Sequence, residues 1–213
     1  MKAYTQILAS VLILLMLLSF GFMTGCKKKD EVKEEQPITI DNLQTAYGAE
    51  VKRATWYDLF AKQAASERLT NLAVLFRAIG RSEQIHADKL ASLLRSKGYE
   101  TRAPIIDSIA PGKAIQYLRG AVSLESQEVE SMYPNIIAVA ELEKFADVAA
   151  ELRQIQKGDS RHFEIFKEIF EREGKIPKAD YSVCTVCGYL ITSASTATCP
   201  VCNAKKDKFE RIQ

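Results

Sequence analysis

The chain contains only two histidines, and each of them follows an acidic residue by three positions, in Glu83-x-x-His86 and Asp159-x-x-His162. On an α-helix this spacing places both side chains on one face. Two such pairs, together with one Glu from each of two further helices, form the ligand pattern of a di-metal site inside a four-helix bundle. Acids occupy 27 of 213 positions, so one histidine has an acid at this spacing by chance about one time in eight. Two pairs therefore favour a metal site over the alternative of a solvated helix face.

The spacing of apolar residues predicts the four helices that such a bundle requires, at about 41–66, 69–97, 113–142 and 143–173. Pro134 predicts a kink in the third helix. Residues 98–111 contain two prolines and form a long connection. Fully extended, these residues reach roughly 46 Å, while a 28-residue helix is about 42 Å long. The connection can therefore cross from one end of the bundle to the other.

Each predicted helix carries acidic residues on its inward face, where burial of an unpaired charge is very costly. The candidate ligands are Glu50, Glu83, His86, Glu125, Glu128, Asp159 and His162. Most lie near the midpoints of their helices, so antiparallel packing brings them to one level. Carboxylate oxygens neutralise and bridge two cations, and imidazole adds affinity for iron-like metals. The pattern predicts a di-metal centre in the middle of the bundle.

Two tyrosines share helix faces with candidate ligands. Tyr57 is seven residues after Glu50, and Tyr133 is eight residues after Glu125. A tyrosine hydroxyl in this position can hydrogen-bond a ligand carboxylate and orient it. Ordinary core packing is the alternative role for both.

The C-terminal segment contains two CxxC motifs, formed by Cys184, Cys187, Cys199 and Cys202. Two facing motifs of this kind build a tetrahedral four-thiolate site that suits iron or zinc. The segment is too short for a large core, so a metal would supply much of its folding free energy. Two disulfides are the alternative.

The N-terminal sequence predicts that the protein is targeted to a membrane. Residues 3–25 carry no charge and end in Met23-Thr24-Gly25-Cys26, which resembles the lipobox of bacterial lipoproteins. We expect a signal peptide over 1–25, lipidation of Cys26 and a charged linker over 26–40. The protein would then be an extracytoplasmic, membrane-anchored lipoprotein on the periplasmic side or the cell surface. An uncleaved anchor helix is the alternative.

Nucleic-acid binding is not expected. The formal net charge is only +2, and nucleic-acid binders carry a clustered basic footprint. Lys205, Lys206 and Lys208 lie beside Asp207 and Glu210. These residues are typical of a solvated surface.

From residue 41 to 213 these motifs together resemble the rubrerythrin family. The motifs that carry the resemblance are Glu50 with Tyr57, Glu83-Gln-Ile-His86, Glu125-Ser-Gln-Glu128 before Met132-Tyr133-Pro134, Asp159-Ser-Arg-His162 and the four cysteines. The resemblance implies an all-α ferritin-like four-helix bundle with one long crossover over 41–177, and a small rubredoxin-like metal-knuckle domain over 178–213. It implies two non-haem iron ions in the bundle and one iron on the four cysteines, where zinc is also possible.

The resemblance also implies ligand roles. Glu83 and Glu125 match the bridging carboxylates, and Asp159 and His162 match ligands of one iron. The other iron matches Glu50, Glu128 and His86, and the family exchanges the residues at the Glu128 and His86 positions as the irons change oxidation state. Tyr57 and Tyr133 match tyrosines beside the ligands. Asp159 departs from the family, which has Glu there, and its side chain is one methylene shorter.

The function implied is a peroxidase that reduces hydrogen peroxide to water in oxidative-stress defence, with electrons from an unidentified donor relayed through the four-cysteine iron. The fourth predicted helix ends about 14 residues, or roughly 21 Å, beyond Asp159. That distance predicts a head-to-tail homodimer, in which one chain's tail lies beside the other's bundle. The rival functions are a ferritin-like ferroxidase or iron-binding protein without peroxide turnover, and a non-enzymatic envelope protein with a zinc ribbon.

Overall fold

The structure is a computed structural model that describes residues 36–172, 175–176, 178–192 and 196–213. The predicted signal peptide, Cys26 and nearly all of the predicted linker lie outside the described residues. Across the ranges that are described, no helix is both long and apolar enough to cross a membrane.

Five α-helices build the bundle. They are α1 Ile38–Ser66, α2 Thr70–Ser96, α3 Ala114–Gln127, α4 Tyr133–Leu142 and α5 Ala146–Glu171. A π-helical turn, Glu128–Met132, joins α3 to α4 directly, so these two helices form one rod. The turn ends close to Pro134, which has no backbone N–H and so cannot donate a regular helical hydrogen bond. The bundle therefore consists of four rods, as the sequence predicted.

The first helix begins at Ile38, three residues earlier than predicted. The backbone N–H groups of Ile38 and Thr39 donate to the carboxylate of Glu143, at 3.0 and 2.8 Å. This carboxylate satisfies helix N–H groups that have no partner within the helix. Ile40 is also buried, at 1% exposure. The start of α1 is thus fixed by a residue far away in the sequence.

The long connection runs along the whole of α1. Near its beginning, Gln44 Nε2 donates to the carbonyl of Glu100 at 2.6 Å. Farther along, Trp56 Nε1 donates to the carbonyl of Asp107 at 3.3 Å. Residues 97–113 therefore pass from one end of the bundle to the other, and the predicted crossover is confirmed.

The core is divided into two apolar clusters by a polar layer. One cluster contains Tyr57, Phe76 and Phe166 among its members, and the other contains Leu43, Leu90, Leu152 and their neighbours. Along α1, α2 and α5 the candidate ligands lie between the residues of these clusters. The bundle thus holds its polar residues between two apolar layers that fold around them.

The C-terminal part is a three-stranded antiparallel sheet of order β2-β1-β3. Its strands are β1 Ser182–Cys184, β2 Leu190–Ile191 and β3 Phe209–Arg211, and a short 3₁₀-helix, Lys206–Lys208, precedes β3. Tyr181, Val183 and Leu190 belong to the same apolar cluster as Phe76 and Phe166. The small domain therefore packs against the bundle of its own chain.

Candidate di-metal centre and four-cysteine site

All seven candidate ligands lie in the polar layer. None is more than 3% exposed, and six of them are fully buried. They come from every rod of the bundle: Glu50 from α1, Glu83 and His86 from α2, Glu125 from α3, Glu128 from the π-helical turn, and Asp159 and His162 from α5.

Six of the seven form two overlapping groups. Glu50, Glu83, His86 and Asp159 each offer one ligand atom within 4.8 Å of the others, and so do Glu83, Glu125, Asp159 and His162. Glu83 and Asp159 belong to both groups. The resemblance implied that Glu83 and Glu125 bridge and that Asp159 serves one iron. In the structure Asp159 takes the shared position, and Glu125 belongs to one group only.

Both imidazoles turn Nδ1 toward the carboxylates. His86 Nδ1 lies 3.1 Å from Asp159 Oδ1 and 3.2 Å from Glu83 Oε2. His162 Nδ1 lies 3.3 Å from Glu83 Oε1 and 3.4 Å from Glu125 Oε2. The two imidazole rings are therefore oriented to share carboxylate partners at the centre of the bundle.

The fit of a metal pair is visible in the hydrogen bonding. Buried atoms without a hydrogen-bond partner include one carboxylate oxygen each of Glu50, Glu83 and Glu125, both oxygens of Asp159, and His162 Nδ1. An unpaired buried acceptor is costly, and two cations would satisfy all of these atoms. Oxygen and imidazole donors in this mixture suit iron.

Without metal the layer holds protons instead. Burial, and then the charges of Glu50 and Asp159, raise the pKa of Glu83 to about 8. Burial, and then Glu50, raise the pKa of Asp159 to about 6. Burial alone would lower the pKa of His162, but the charge and hydrogen bond of Glu125 raise it to about 10. Metal binding would therefore displace protons from this layer.

Each tyrosine bonds a carboxylate on another rod. The Tyr57 hydroxyl donates to Glu125 Oε1, and the Tyr133 hydroxyl donates to Glu50 Oε1. The predicted hydrogen bond from each tyrosine to a ligand carboxylate is therefore present, and in both cases it links two rods. The π-helical turn inserts one extra residue between Glu125 and Tyr133. Although eight residues apart in sequence, the two side chains are therefore oriented like residues seven apart on a regular α-helix.

Glu128 is the one candidate ligand that the structure leaves out of both groups. Its carboxylate forms an ion pair with the guanidinium of Arg53, which is buried. Sequence reasoning missed Arg53. The signal was available, because Arg53 lies three residues after Glu50 and four before Tyr57 and so shares their inward face.

The four cysteines converge as predicted. Cys184 Sγ lies 3.6 Å from Cys202 Sγ, and Cys187 Sγ lies 3.5 Å from Cys199 Sγ. Four thiolates at about 2.3 Å from one metal have neighbouring sulfurs roughly 3.8 Å apart. None of these four is disulfide-bonded. The hydrogen bond from Cys187 lowers the pKa of Cys184 to about 5, so one thiolate forms readily.

The first cysteine motif touches the di-metal layer of its own chain. Ser82 Oγ donates to the carbonyl of Gly188 at 2.5 Å. His162 Nε2 lies 3.0 Å from the same Ser82 oxygen. Because the serine proton goes to Gly188, His162 must donate from Nε2, and Nδ1 keeps its lone pair for a metal. Sequence reasoning missed Ser82, because its partner is 106 residues away.

After the last helix the chain returns to its own bundle, so the distance from Asp159 to the end of that helix does not by itself require a head-to-tail homodimer. Gly188 has φ +82°, and an added Cβ would collide with the imidazole of His86. The small domain thus lies against its own bundle within one chain. A homodimer stays a prediction.

Comparison with known proteins identifies the family. The rubrerythrin family model matches residues 41–170, and the model of the rubredoxin-like domain of rubrerythrin matches 183–210. Rubrerythrin from Porphyromonas gingivalis is 30% identical over 199 residues, which cover 88% of this chain and 97% of that protein. Rubrerythrin-2 from Clostridium acetobutylicum is 27% identical over 176 residues, 81% of this chain and 96% of that one.

A solved structure agrees in fold. Nigerythrin in its mixed-valence state superposes with a TM-score of 0.73 at 24% identity, covering 81% of this chain and 86% of that chain. The fully reduced, all-ferrous nigerythrin gives the same TM-score and covers 86% of this chain. The chain therefore belongs to the rubrerythrin family, and it has both the carboxylate–histidine di-iron site and the four-cysteine rubredoxin-like site.

Proposed function

We propose that this protein is a peroxidase that reduces hydrogen peroxide to two waters, consuming two electrons and two protons. The observation that carries the proposal is the contact between the two sites. A store for iron needs the buried carboxylates alone, whereas here the four-cysteine motif reaches the imidazole layer through the hydrogen bonds of Ser82. An electron-transfer site joined to a di-metal site in this way favours redox turnover.

Two ferrous ions bound in the two groups would supply one electron each to peroxide. The protein's own part is to hold the charges in place. Glu50, Glu83, Glu125 and Asp159 neutralise the cations inside a layer closed to solvent. Tyr57 and Tyr133 each fix one carboxylate by a hydrogen bond. Fixed donors and acceptors in a dry site need no reorganisation during the reaction.

Electrons would return through the four-cysteine site. The path from Gly188 to Ser82 and on to His162 consists of two hydrogen bonds. An electron donor in the cell would reduce the four-cysteine site after each turnover. Iron rather than zinc is required at the cysteines for this relay, because zinc has no redox chemistry.

The test is a rapid-mixing experiment on the iron-loaded protein. The protein is reduced without oxygen and mixed with hydrogen peroxide, and reoxidation of the four-cysteine iron is followed by its colour. We expect fast reoxidation by peroxide and slow reoxidation by oxygen. Glu83→Gln should slow it at least about tenfold, because a shared carboxylate is lost. Glu141→Gln, on the exposed surface of the bundle, should leave it unchanged.

The ferroxidase alternative predicts that oxygen reacts faster than hydrogen peroxide. Slow reoxidation by peroxide, combined with fast consumption of ferrous iron and oxygen, would favour iron handling without peroxide turnover. A colourless four-cysteine site that contains zinc would favour the non-enzymatic envelope protein. Metal analysis of the purified protein decides between these outcomes before any kinetics.

We also propose that the protein is lipidated on Cys26 and anchored to a membrane outside the cytoplasm, on the periplasmic side or at the cell surface. The support is the sequence Met23-Thr24-Gly25-Cys26 after an uncharged stretch. Mass spectrometry of the mature N-terminus tests this directly. Lipid on Cys26 is the expected result, and an intact Met1 would contradict it.

A further inference from the structure

Arg53 brings a buried positive charge to the di-metal layer. Its side chain is 8% exposed and forms an ion pair with Glu128. The guanidinium Nη2 also lies 3.6 Å from Glu50 Oε1. Arg53 Nε and Nη2 have no hydrogen-bond partner, so the guanidinium acts on the layer through its charge rather than through directed hydrogen bonds.

The charge of Arg53 is coupled to the metal-binding carboxylates. Burial alone would lower the pKa of Arg53, but the charges of four carboxylates raise it above its ordinary value: Glu50, Glu83, Glu125 and Asp159. These are the four carboxylates of the two ligand groups. Arg53 therefore stays charged at physiological pH, and it interacts with the same side chains that would hold the metals.

The formal charges of the layer show what Arg53 contributes once two ferrous ions are bound. The five buried carboxylates and Arg53 together carry −4 when both histidines are neutral, so two ferrous ions bring the layer to zero. Loss of one electron from each iron brings it to +2. Without Arg53 the two values would be −1 and +1. Glu128 enters this count in the same way whether its carboxylate lies on Arg53 or on a metal.

A net charge in a region closed to water is unfavourable, and interactions between buried charges are screened much less than those at the surface. Arg53 therefore opposes the positive charge that the layer gains on oxidation. We propose that Arg53 raises the reduction potential of the iron pair, which favours the passage of electrons from the four-cysteine iron into the bundle. The inference requires the iron pair but not peroxide turnover, so the two can fail separately.

A redox titration of the iron-loaded protein tests the proposal. The protein is poised at a series of potentials, and Mössbauer spectroscopy counts ferrous and ferric ions separately in the bundle and at the four cysteines. Arg53→Met removes the charge and keeps an unbranched side chain. We expect the equilibrium in the bundle to shift toward ferric iron by at least about tenfold for each electron, a potential lower by about 59 mV. The four-cysteine iron in the same sample should shift by less than about twofold.

Two further variants separate the charge of Arg53 from its packing. Arg53→Lys keeps the charge and should stay within about threefold of the unmodified protein. Lys52→Gln removes one positive charge from the same helix, but Lys52 is 29% exposed and its partner Asp107 is 64% exposed. Because solvent screens this charge, its loss should shift the equilibrium by less than about twofold. An Arg53→Lys shift as large as that of Arg53→Met would overturn the proposal.

A second comparison covers the case in which Arg53→Met leaves the Glu128 carboxylate unpaired and the protein fails to fold. Glu128→Gln is compared with the double variant Arg53→Met/Glu128→Gln, and the difference isolates the effect of Arg53. The double variant should have the lower potential, again by at least about tenfold for each electron. Neither variant carries the Glu128 carboxylate, so the result does not depend on whether that carboxylate binds iron in one oxidation state. Equal potentials in these two variants would refute the inference.

Discussion

The two metal sites of this protein are held in opposite ways. The di-metal ligands are spread over four rods, from Glu50 to His162, and lie between two apolar clusters that continue on both sides of them. The four cysteine ligands lie within a segment of 19 residues. In the apolar cluster of that segment, the fully buried members are three of the cysteines, Cys184, Cys187 and Cys199. One site is therefore placed by four rods with extensive apolar packing, and the other lies in a short segment with a small cluster of its own and a few apolar contacts to the bundle.

Loss of the four-cysteine metal should produce the largest effect. Cys199→Ser removes one ligand of a metal that we expect to supply much of the folding free energy of the small domain; structural zinc in zinc-finger peptides binds with about 10–16 kcal/mol. We expect the amide protection of residues 181–192 and 196–212 from hydrogen exchange to be lost, while α1, α2 and α5 keep theirs. Hydrogen-exchange mass spectrometry measures both regions in one experiment.

Val186→Ala is the matched control, because Val186 lies between two cysteine ligands but is 42% exposed. It should leave the exchange pattern unchanged. If Cys199→Ser also unfolded the bundle helices, the contrast between a scaffolded and a metal-dependent site would fail. The shared apolar contacts of Tyr181, Val183 and Leu190 would then join the two regions into one cooperative unit.

The stability of the metal-free bundle should fall as pH rises, and bound metal should reduce or reverse this dependence. In the metal-free protein, burial and neighbouring charge raise the pKa of Glu83 to about 8, above its ordinary value. Glu83 therefore stays protonated in the folded state where the unfolded chain has lost that proton, and stability falls as pH rises from about 4.5 to 8. His162, with its pKa raised to about 10, extends the decline above pH 6.5.

Thermal unfolding of the helices at pH 5, 7 and 9 checks this sign. The melting temperature of the metal-free protein should fall across the series. The metal-loaded protein should show a smaller fall or a rise, because metals displace these protons and bind more tightly at high pH. Glu83→Gln should flatten the lower part of the metal-free curve. A metal-free melting temperature that rises from pH 5 to 7 would contradict the assignment.

Replacing glycine by alanine should have opposite effects on stability at two helical positions, one beside the di-metal layer and one on the exposed surface. A Cβ at Gly158 in α5 would lie 2.6 Å from His86 Nε2, whereas a Cβ at Gly120 in α3 would meet no atom within 4 Å. Gly120→Ala should stabilise the protein by about 0.5–1 kcal/mol, as alanine does in an exposed helix. Gly158→Ala should destabilise it by about 1–3 kcal/mol and displace the His86 ring.

Denaturant unfolding of both variants measures the difference, and cobalt titration reports on His86. Gly158→Ala should weaken Co²⁺ binding by the bundle, while Gly120→Ala should not. Equal stabilisation by the two substitutions would mean that His86 moves freely, and the di-metal layer would then be less rigid than its packing indicates.

The contrast between the sites also explains what the sequence could predict. The cysteine motifs are local, so their spacing alone predicted the site. The four helices and the inward acids followed from helical periodicity, and the crossover followed from the length of residues 98–111. The helix start at Ile38, the contact of Ser82 with Gly188 and the pairing of Glu128 with Arg53 depend on residues far apart in the chain. No local pattern encodes these contacts, and the return of the tail onto its own bundle was missed for the same reason.

The smallest expected effect lies at the surface where the two regions meet. Arg81 Nε donates to Glu210 Oε2 at 2.8 Å, and the side chains are 37% and 42% exposed. An ion pair with this exposure is worth about 0–1 kcal/mol, so Arg81→Gln should raise the rate at which β1 and β3 exchange amide hydrogens by about fivefold at most.

The effect of Arg81→Gln should disappear in 1 M salt, where the screening length is about 3 Å. Arg153→Gln is the matched control: it breaks a somewhat more exposed pair, with Glu141, that joins two helices of the bundle, and it should not change hydrogen exchange in the strands. A larger effect of Arg81→Gln, or one that persists in salt, would mean that the tail is held on the bundle by charge rather than by the buried contacts of Tyr181, Val183 and Ser82.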